Sequence, residues 1–275
     1  AVESACETED NTVLLQARKL RRTLRAFEPS VTFIGQVKAG KTTLVNAMAG
    51  WPDLLPSDVN PWTSVVTSLH LEAAQATPLR RAAFRFFDTG SWDNLVRNGG
   101  RVGEIANRAG AAEDRDKVRA QLEQMREKSK ARLGARFELL LGQVHDYDAF
   151  DADLIQRYVA LGDTFWNDPD SATSQARYAD ITQAADLWFD TLQVPMRLCL
   201  RDTPGANDTF LIREQITLDA IAQSRCCVVV LSAAQALSSV DLGLIRLMSA
   251  MESRDVVVFV NRIDELADPA RQVPE

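Results

Sequence analysis

The chain has 275 residues, 46% of them hydrophobic and 25% charged, and its formal net charge is −7. This apolar content is enough for a globular protein with one large domain or two modest ones. The acidic balance argues against a nucleic-acid-binding protein that works by neutralising phosphates, and no apolar run approaches the roughly 18 to 20 residues of a membrane-spanning helix.

The first predicted element is an amphipathic helix over residues 13–27. Its apolar side chains recur at helical spacing and form one stripe: Val13, Ala17, Leu20, Leu24 and Phe27. Basic residues surround this stripe, and Pro29 ends the helix. We expect residues 1–29 to form a separate N-terminal helix, whose basic residues can meet an anionic lipid surface.

The next segment predicts the opening of an α/β domain. Residues 31–34 are a β-rich run, which leads into a glycine-containing loop and a helix over residues 41–49. Further strands are predicted over residues 64–71 and 82–87. From about residue 90 to 192 the pattern changes to charged segments with few β-branched runs, and Val118, Leu122, Met125 and Leu133 form a helical stripe. We expect a large helical insertion there.

Strands and helices alternate again after Pro195. Strands are predicted over residues 196–200, 226–231 and 256–260, and helices near residues 210–222 and 240–251. Such alternation predicts an α/β fold with a mostly parallel sheet covered by helices on both faces. We expect residues 30–275 to form this domain.

The cysteines and histidines give no clear site in the sequence. The four cysteines lack CxxC spacing, and three of them lie in apolar, strand-like segments: Cys199, Cys226 and Cys227. This pattern indicates buried free thiols in a reducing, cytoplasmic compartment and argues against disulfides or a zinc site. His70 and His145 lie far apart in the sequence, so we expect structural or surface roles for both.

The strongest motif is GQVKAGKT at residues 35–42, which fits the pattern GxxxxGK[ST] between a strand and a helix. Backbone N–H groups of such a loop, together with the helix N-terminus, can surround a β-phosphate. Lys41 is predicted to contact the β- and γ-phosphates, and the Thr42 hydroxyl to bind Mg²⁺. The nucleotide contacts expected from this loop are Gly35, Gln36, Val37, Lys38, Ala39, Gly40, Lys41, Thr42 and Thr43.

A second motif, Asp202-Thr203-Pro204-Gly205, follows a predicted strand and fits DxxG. The Asp202 carboxylate can hold Mg²⁺ through water, and the Gly205 N–H can bind the γ-phosphate. The same four residues can also form an ordinary surface turn. Their place after a strand and downstream of the P-loop favours the nucleotide role.

A third motif, Asn261-Arg262-Ile263-Asp264, follows an apolar strand and is similar to the guanine-reading pattern NKxD, with arginine in place of lysine. Asp264 can accept hydrogen bonds from the ring N–H and the exocyclic amine of guanine, a pair of donors that adenine lacks. Arg262 can cover the base with its guanidinium plane. Helix capping is the structural alternative, but the three motifs together predict GTP as substrate and Mg²⁺ as cofactor.

Four strings now resemble the GTPase domain of dynamin-like proteins, particularly bacterial ones, over about residues 31–266: GQVKAGKTTLVNAMAG, LPSDVNPWTSVVTSLH, DTPGAND and VVVFVNRIDEL. The resemblance implies that a threonine closes over Mg²⁺ and the γ-phosphate. Thr63 is the matching position and Thr67 the second candidate, with an ordinary β-strand threonine as the structural alternative. Lys41 and Thr63 are thus the expected catalytic residues.

The resemblance also favours a position for the helix over residues 13–27, because in this family such helices more often form part of a bundle that leaves the GTPase domain than a lipid contact. It implies partners and extent as well. We expect GTP hydrolysis to GDP, self-association through the GTPase domain, a cytoplasmic protein that associates peripherally with membranes through a region beyond this segment, and no nucleic-acid partner. We also expect a fragment cut before the stalk, with the GTPase domain incomplete at its C-terminus.

Two departures from the family pattern concern hydrolysis. Dynamins orient the attacking water with a glutamine at the second variable position of the P-loop, where this chain has Val37, and Gln36 lies one residue too early. Ala206 stands where small GTPases carry a glutamine. Three functions therefore remain open: a GTP-driven membrane-remodelling enzyme, a slowly hydrolysing GTP-controlled interaction module, and, third, a P-loop ATPase.

Overall fold

In the computed structural model, the chain is described over residues 11–56, 65–73, 79–91, 123–124, 126–160, 177–205, 221, 224–235, 237–249 and 255–266. The labelled helices are α1 (Asn11–Ala26), α2 (Lys41–Ala49), α3 (Arg136–Leu140), α4 (Ala152–Val159) and α5 (Ser239–Ser249). The strands are β1 (Ser30–Gly35), β2 (Val66–Ala73), β3 (Arg80–Phe86), β4 (Val144–Tyr147), β5 (Thr182–Thr191), β6 (Leu198–Asp202), β7 (Cys226–Ser232) and β8 (Asp255–Asn261).

Within these ranges the strands form one mixed sheet in the order β4-β3-β5-β2-β6-β1-β7-β8. β1 pairs in parallel with β6 and β7, β7 with β8, and β2 with β5. The other pairs, β2 with β6, β3 with β5 and β3 with β4, are antiparallel. The predicted α/β class is confirmed. The parallel half of the sheet contains β1, which together with α2 flanks the GxxxxGK[ST] motif as predicted.

Helices lie on both faces of the sheet. Successive residues of a strand point to opposite faces, and on β1 Phe33 belongs to an apolar cluster with Val45 of α2. The next residue, Ile34, belongs to a second cluster with Met248 of α5. The two helices therefore cover opposite sides of β1, as the alternation of elements predicts.

The helical interpretation of residues 90–192 is wrong for two described segments, β4 and β5. β5 is a ten-residue strand between β2 and β3, and its buried residues mostly alternate with half-buried ones such as Asp186 and Trp188. Acidic and alanine residues give this segment a weak intrinsic preference for strand. Pairing on both sides and burial of one face decide its conformation, because strand propensity depends strongly on packing context. Helix does occur at residues 126–133, and Leu133 is buried, whereas Val118, Leu122 and Met125 lie outside the described residues.

Two apolar surfaces remain exposed in the described part of the protein. The stripe of α1 is one of them, since its members Leu20 and Leu24 are 60% and 65% exposed. The outer strand β8 is the other, with exposed apolar side chains throughout residues 256–260. Among the described helices, none is both long enough and apolar enough to cross a bilayer.

Candidate functional site

The three sequence motifs meet at one edge of the sheet. β1 leads into the P-loop, β6 ends in Asp202, and β8 ends in Asn261. These strands belong to the parallel set β6-β1-β7-β8, whose carboxyl ends share one edge. This edge is where α/β sheets bind their ligands.

The P-loop requires glycine at two positions. Gly35 has φ +153°, and a Cβ added there would lie 2.2 Å from the carbonyl oxygen of Val230 on β7. Gly40 has φ +92°, and a Cβ there would lie 2.1 Å from Nδ2 of Asn261. Since the contact at Gly35 is with backbone, a side chain cannot be accommodated by a rotamer change. The loop is thus packed closely against β7 and the end of β8.

Replacement of Gly35 by alanine is expected to lower the free energy of unfolding by about 2 to 5 kcal/mol, because overpacking between β1 and β7 adds to an unfavourable backbone conformation. Urea denaturation followed by circular dichroism measures the change. Gly243→Ala is the matched control. No described residue lies within 4 Å of a Cβ added at Gly243 in α5, so the expected effect of this variant is neutral or a gain of up to about 1 kcal/mol. Equal losses for both variants would contradict the close packing at Gly35.

Asn261 fastens the P-loop to the end of β8. Its Nδ2 donates a hydrogen bond to the carbonyl oxygen of Ala39 at 3.0 Å. Thr203 makes a similar connection from the second motif, because its hydroxyl donates to the carbonyl oxygen of Phe33 at 2.6 Å. Both bonds join segments far apart in the sequence and fix the relative positions of the three motifs.

Lys41 is buried at the centre of the loop. Its Nζ donates to the carbonyl oxygens of Gln36 at 2.9 Å and Gly35 at 3.2 Å. Burial lowers the pKa of Lys41 to about 8, and the nearby Asp202 carboxylate opposes this shift. The ammonium group is held by weak neutral acceptors, which phosphate oxygens can replace with stronger charge-assisted bonds.

Thr42 and Asp202 form a pair of oxygen donors beside Lys41. The Thr42 hydroxyl donates to Oδ2 of Asp202 at 2.7 Å. Burial raises the pKa of Asp202 to about 6, against the opposing effects of Lys41 and Thr42. Its Oδ1 is buried without a hydrogen-bond partner among the residues that the structure describes. Hard oxygen donors and a carboxylate oxygen free to accept from a coordinated water fit Mg²⁺.

The remaining P-loop residues have distinct surroundings. Gly205 lies against Val37, since a Cβ at Gly205 would be 2.6 Å from both Cα and Cγ2 of Val37. The Gln36 side chain donates from Nε2 to the hydroxyl of Ser238, 2.6 Å away and just before α5. Lys38, with φ +64°, and Thr43 are exposed. An apolar side chain, that of Val37, therefore lies next to Gly205, the glycine predicted to bind the γ-phosphate.

Arg262 and Asp264 lie in the turn that follows β8. Arg262 has φ +60° and precedes a short 3₁₀ helix, Ile263–Glu265. Its guanidinium group pairs with Glu265 at 3.0 Å, and Asp264 is exposed. The strand end that carries these residues is the one that Asn261 ties to the P-loop.

The two threonine candidates have different outcomes. Thr63, and likewise Ala206, lie outside the described residues. Thr67 is fully buried in β2, directly opposite Asp202 of β6. Its position in a strand matches the structural alternative given for it.

Sequence reasoning missed Thr203 and Ser238. Thr203 stands at a variable position of DxxG, and Ser238 belongs to no motif. Thr203 bonds to Phe33 and Ser238 to Gln36, each more than 150 residues away in the chain. Local sequence patterns do not predict hydrogen bonds between such distant residues.

Comparisons with known proteins agree with this architecture. The sequence model of the Dynamin family matches residues 31–264, and no curated protein matches the chain.

Two solved structures share the fold. Both are of an oligomerised bacterial dynamin pair, which is described as providing a mechanism for the long-range sensing and tethering of membranes. Their TM-scores are 0.60 at 16% identity and 0.58 at 15% identity. Each comparison covers 97% of this chain but 32% of the solved chain, so this chain spans about a third of those proteins. With the family match extending over most of its length, the chain belongs to the dynamin family.

Proposed function

We propose that the chain binds GTP with Mg²⁺ and hydrolyses the bond between the β- and γ-phosphates to give GDP and phosphate. The convergence of Lys41, Thr42 and Asp202 carries the proposal. Among the described residues, the buried ammonium group of Lys41 has only carbonyl oxygens as hydrogen-bond acceptors, and it lies beside the Asp202 carboxylate, one oxygen of which has no partner there. This pairing of a cation for phosphate with oxygens for Mg²⁺ is what phosphoryl transfer requires.

Each residue has a role in this proposal. Lys41 exchanges its carbonyl contacts for the β- and γ-phosphates, and the loop N–H groups surround the β-phosphate. Thr42 would hold the metal ion directly and Asp202 through water; bound Mg²⁺ neutralises charge on the phosphate oxygens. Gly205 donates its N–H to the γ-phosphate, and Thr63 closes over it.

Selectivity for guanine is assigned to the turn after β8. Asp264 accepts from the two guanine donors, and the Arg262 side chain covers the base. Their side chains are exposed or half-buried and so are accessible to a base. Asn261 couples this turn to the phosphate loop through its bond to Ala39.

The test of nucleotide identity is a titration of the 275-residue chain with fluorescent GTP and ATP analogues, with Mg²⁺ and with a chelator. GTP is expected to bind at least about tenfold more tightly than ATP, and removal of Mg²⁺ to weaken it. Equal or tighter binding of ATP would favour the P-loop ATPase and overturn the proposal.

We further propose nucleotide-dependent self-association through the GTPase domain and peripheral membrane association in the cytoplasm. Family membership and the fold shared with an oligomerised bacterial dynamin pair support this proposal. Light scattering with a non-hydrolysable GTP analogue and with GDP tests it, because the analogue alone should increase the mean mass. A mass that is the same in both nucleotide states would count against dimerisation across the nucleotide.

Flotation of the full-length protein with anionic vesicles tests membrane association. Recovery of the protein in the unbound fraction would contradict membrane association.

The second candidate function is a GTP-controlled interaction module with slow hydrolysis. Contact between Val37 and Gly205 favours it, since no water-orienting glutamine occupies that position. Turnover that does not rise with protein concentration would support this module over the membrane-remodelling enzyme.

Replacing Val37 with glutamine is expected to raise turnover roughly tenfold, because an oriented amide can position the attacking water. Phosphate release at saturating GTP is the measurement. Val37→Leu, of similar size and apolar, is the control and should leave turnover unchanged. A Val37→Gln variant that binds GTP normally but hydrolyses no faster would show that another group positions the water.

A further inference from the structure

A second cluster of ligand-type side chains lies away from the nucleotide site. Glu28, His70 and Cys199 place one ligand atom each within 4.8 Å of one another. Glu28 lies between α1 and β1, His70 is on β2, and Cys199 is on β6. The adjacent strand residues Leu69 and Leu200 belong to the apolar cluster under α2. Because strand side chains alternate, His70 and Cys199 lie on the opposite face of the sheet from α2.

The strand register explains why these residues meet. His70 and Cys199 are direct partners in the antiparallel pair of β2 with β6, so their side chains share a face. Cys199 is also opposite Ser30 at the start of β1, and Glu28 precedes Ser30 by two residues. Glu28 Oε2 lies 2.8 Å from Nδ1 of His70. Only the folded sheet brings these three residues together, since the sequence predicted a buried free thiol at Cys199 and a structural or surface role for His70, and assigned no role to Glu28.

The donor set fits a borderline-soft cation. One carboxylate, one imidazole nitrogen and one thiolate are ligands that Zn²⁺ accepts. Tetrahedral zinc places such atoms about 3.3 to 3.6 Å apart, so side-chain movements of about 1 Å from the observed positions complete the geometry. Oε1 of Glu28 is buried without a hydrogen-bond partner in the described part of the chain, and either it or a water can fill the fourth position.

The surroundings of His70 add a second observation. Its Nε2 faces Oδ1 of Asp186 at 3.3 Å, and its ring stacks on Trp188 with centroids 4.8 Å apart. A histidine whose distal nitrogen is held by a carboxylate presents the other nitrogen to a metal ion, which is the usual support for a zinc ligand. Arg201 acts electrostatically on both Glu28 and Cys199. Its charge offsets the excess negative charge of two anionic ligands and Asp186 around a divalent ion.

We propose that Glu28, His70 and Cys199 form a zinc site that fastens the segment after α1 to the centre of the sheet. The site is separate from the Mg²⁺ ligands, because Asp202 and Cys199 are three residues apart on β6 and point to opposite faces. Bound zinc joins the exit of α1 to both β2 and β6. It therefore stiffens the connection between α1 and the nucleotide-binding sheet.

The test uses the 275-residue chain after treatment with a chelator. Mass-spectrometric metal analysis after exposure to Zn²⁺ is expected to give about one zinc per chain, and Co²⁺ as a probe to give a thiolate-to-cobalt charge-transfer band. Cys199→Ser should abolish the band and His70→Gln should abolish zinc retention. Asp186→Asn should weaken zinc binding roughly 10- to 100-fold. Zinc should also slow amide hydrogen exchange at residues 26–28.

Two controls separate this site from other ligands. Cys226→Ser removes a thiol on β7 and should retain the cobalt band. Asp202→Asn alters the Mg²⁺ site and should also retain it. Circular dichroism identifies any variant that fails to fold, and the His70 and Cys199 variants provide independent readings. No zinc uptake would mean that His70 is only held between two carboxylates, and uptake that survives both variants would place the metal elsewhere; either result overturns the proposal.

Discussion

Replacement of Lys41 by alanine is expected to weaken GTP binding by at least about 100-fold. The reason is the loss of two or more charge-assisted hydrogen bonds to phosphate, each contributing about 1.5 to 3 kcal/mol. In the free protein, the substitution also leaves the carbonyl oxygens of Gly35 and Gln36 without the ammonium donor they now have. Titration with a fluorescent GTP analogue measures the change, and thermal unfolding shows whether the loop remains folded.

Lys38→Ala is the matched control for this prediction. Lys38 lies in the same loop, but its side chain is exposed, whereas that of Lys41 is buried. Its replacement should change GTP affinity by less than about tenfold, as expected for a solvent-screened charge. Similar losses for both variants would mean that the loop attracts nucleotide through its general charge, and that the buried position of Lys41 has no special role.

Replacement of Asp264 by asparagine is expected to reverse base preference. GTP binding should fall by about 100-fold or more, because the asparagine amide would face guanine donors with a donor of its own. Xanthosine triphosphate should gain affinity, since xanthine carries a carbonyl oxygen where guanine has its amine. Competition binding with both nucleotides measures the exchange. Because Asp264 is exposed, stability should be unaffected.

Glu265→Gln provides the control for this change. Glu265 lies beside Asp264 in the same 3₁₀ turn and pairs with Arg262. Its substitution removes the charge that pairs with Arg262 but leaves the Asp264 carboxylate in place, so the preference for GTP over xanthosine triphosphate should persist. An Asp264→Asn variant that still prefers GTP to xanthosine triphosphate would remove Asp264 from base recognition.

Local signals in the sequence were sufficient for some elements of the fold. The helix predicted over residues 41–49 is observed with those bounds because Gly40 and Gly50, both at positive φ, delimit it. β7 and β8, buried or apolar runs rich in valine, also lie within one residue of their predicted bounds. In each case the chain carries its own start and stop signals, so little tertiary information is needed.

Other features depend on contacts that no local pattern records. β5 carries aspartates on its less buried face, and its conformation follows from pairing with β2 and β3. The motifs predicted that Asp202 and Thr42 would be near one another, and the structure joins them by a direct hydrogen bond. The bond from Asn261 to Ala39 was not predictable, because a guanine-reading motif suggests contact with the base and says nothing about the loop.

The exposed apolar residues of β8 have a consequence for handling the protein. β8 is the last strand in the sheet order, and Val257 and Val258 are 49% and 48% exposed. Among the described strands, β8 is thus an exposed hydrophobic edge, and such an edge invites strand addition by another copy and hence aggregation. We expect this association to be independent of nucleotide, to grow with salt and temperature, and to yield to a lysine introduced at Val257. Any assembly that depends on GTP can thereby be distinguished from nonspecific aggregation through the exposed strand β8.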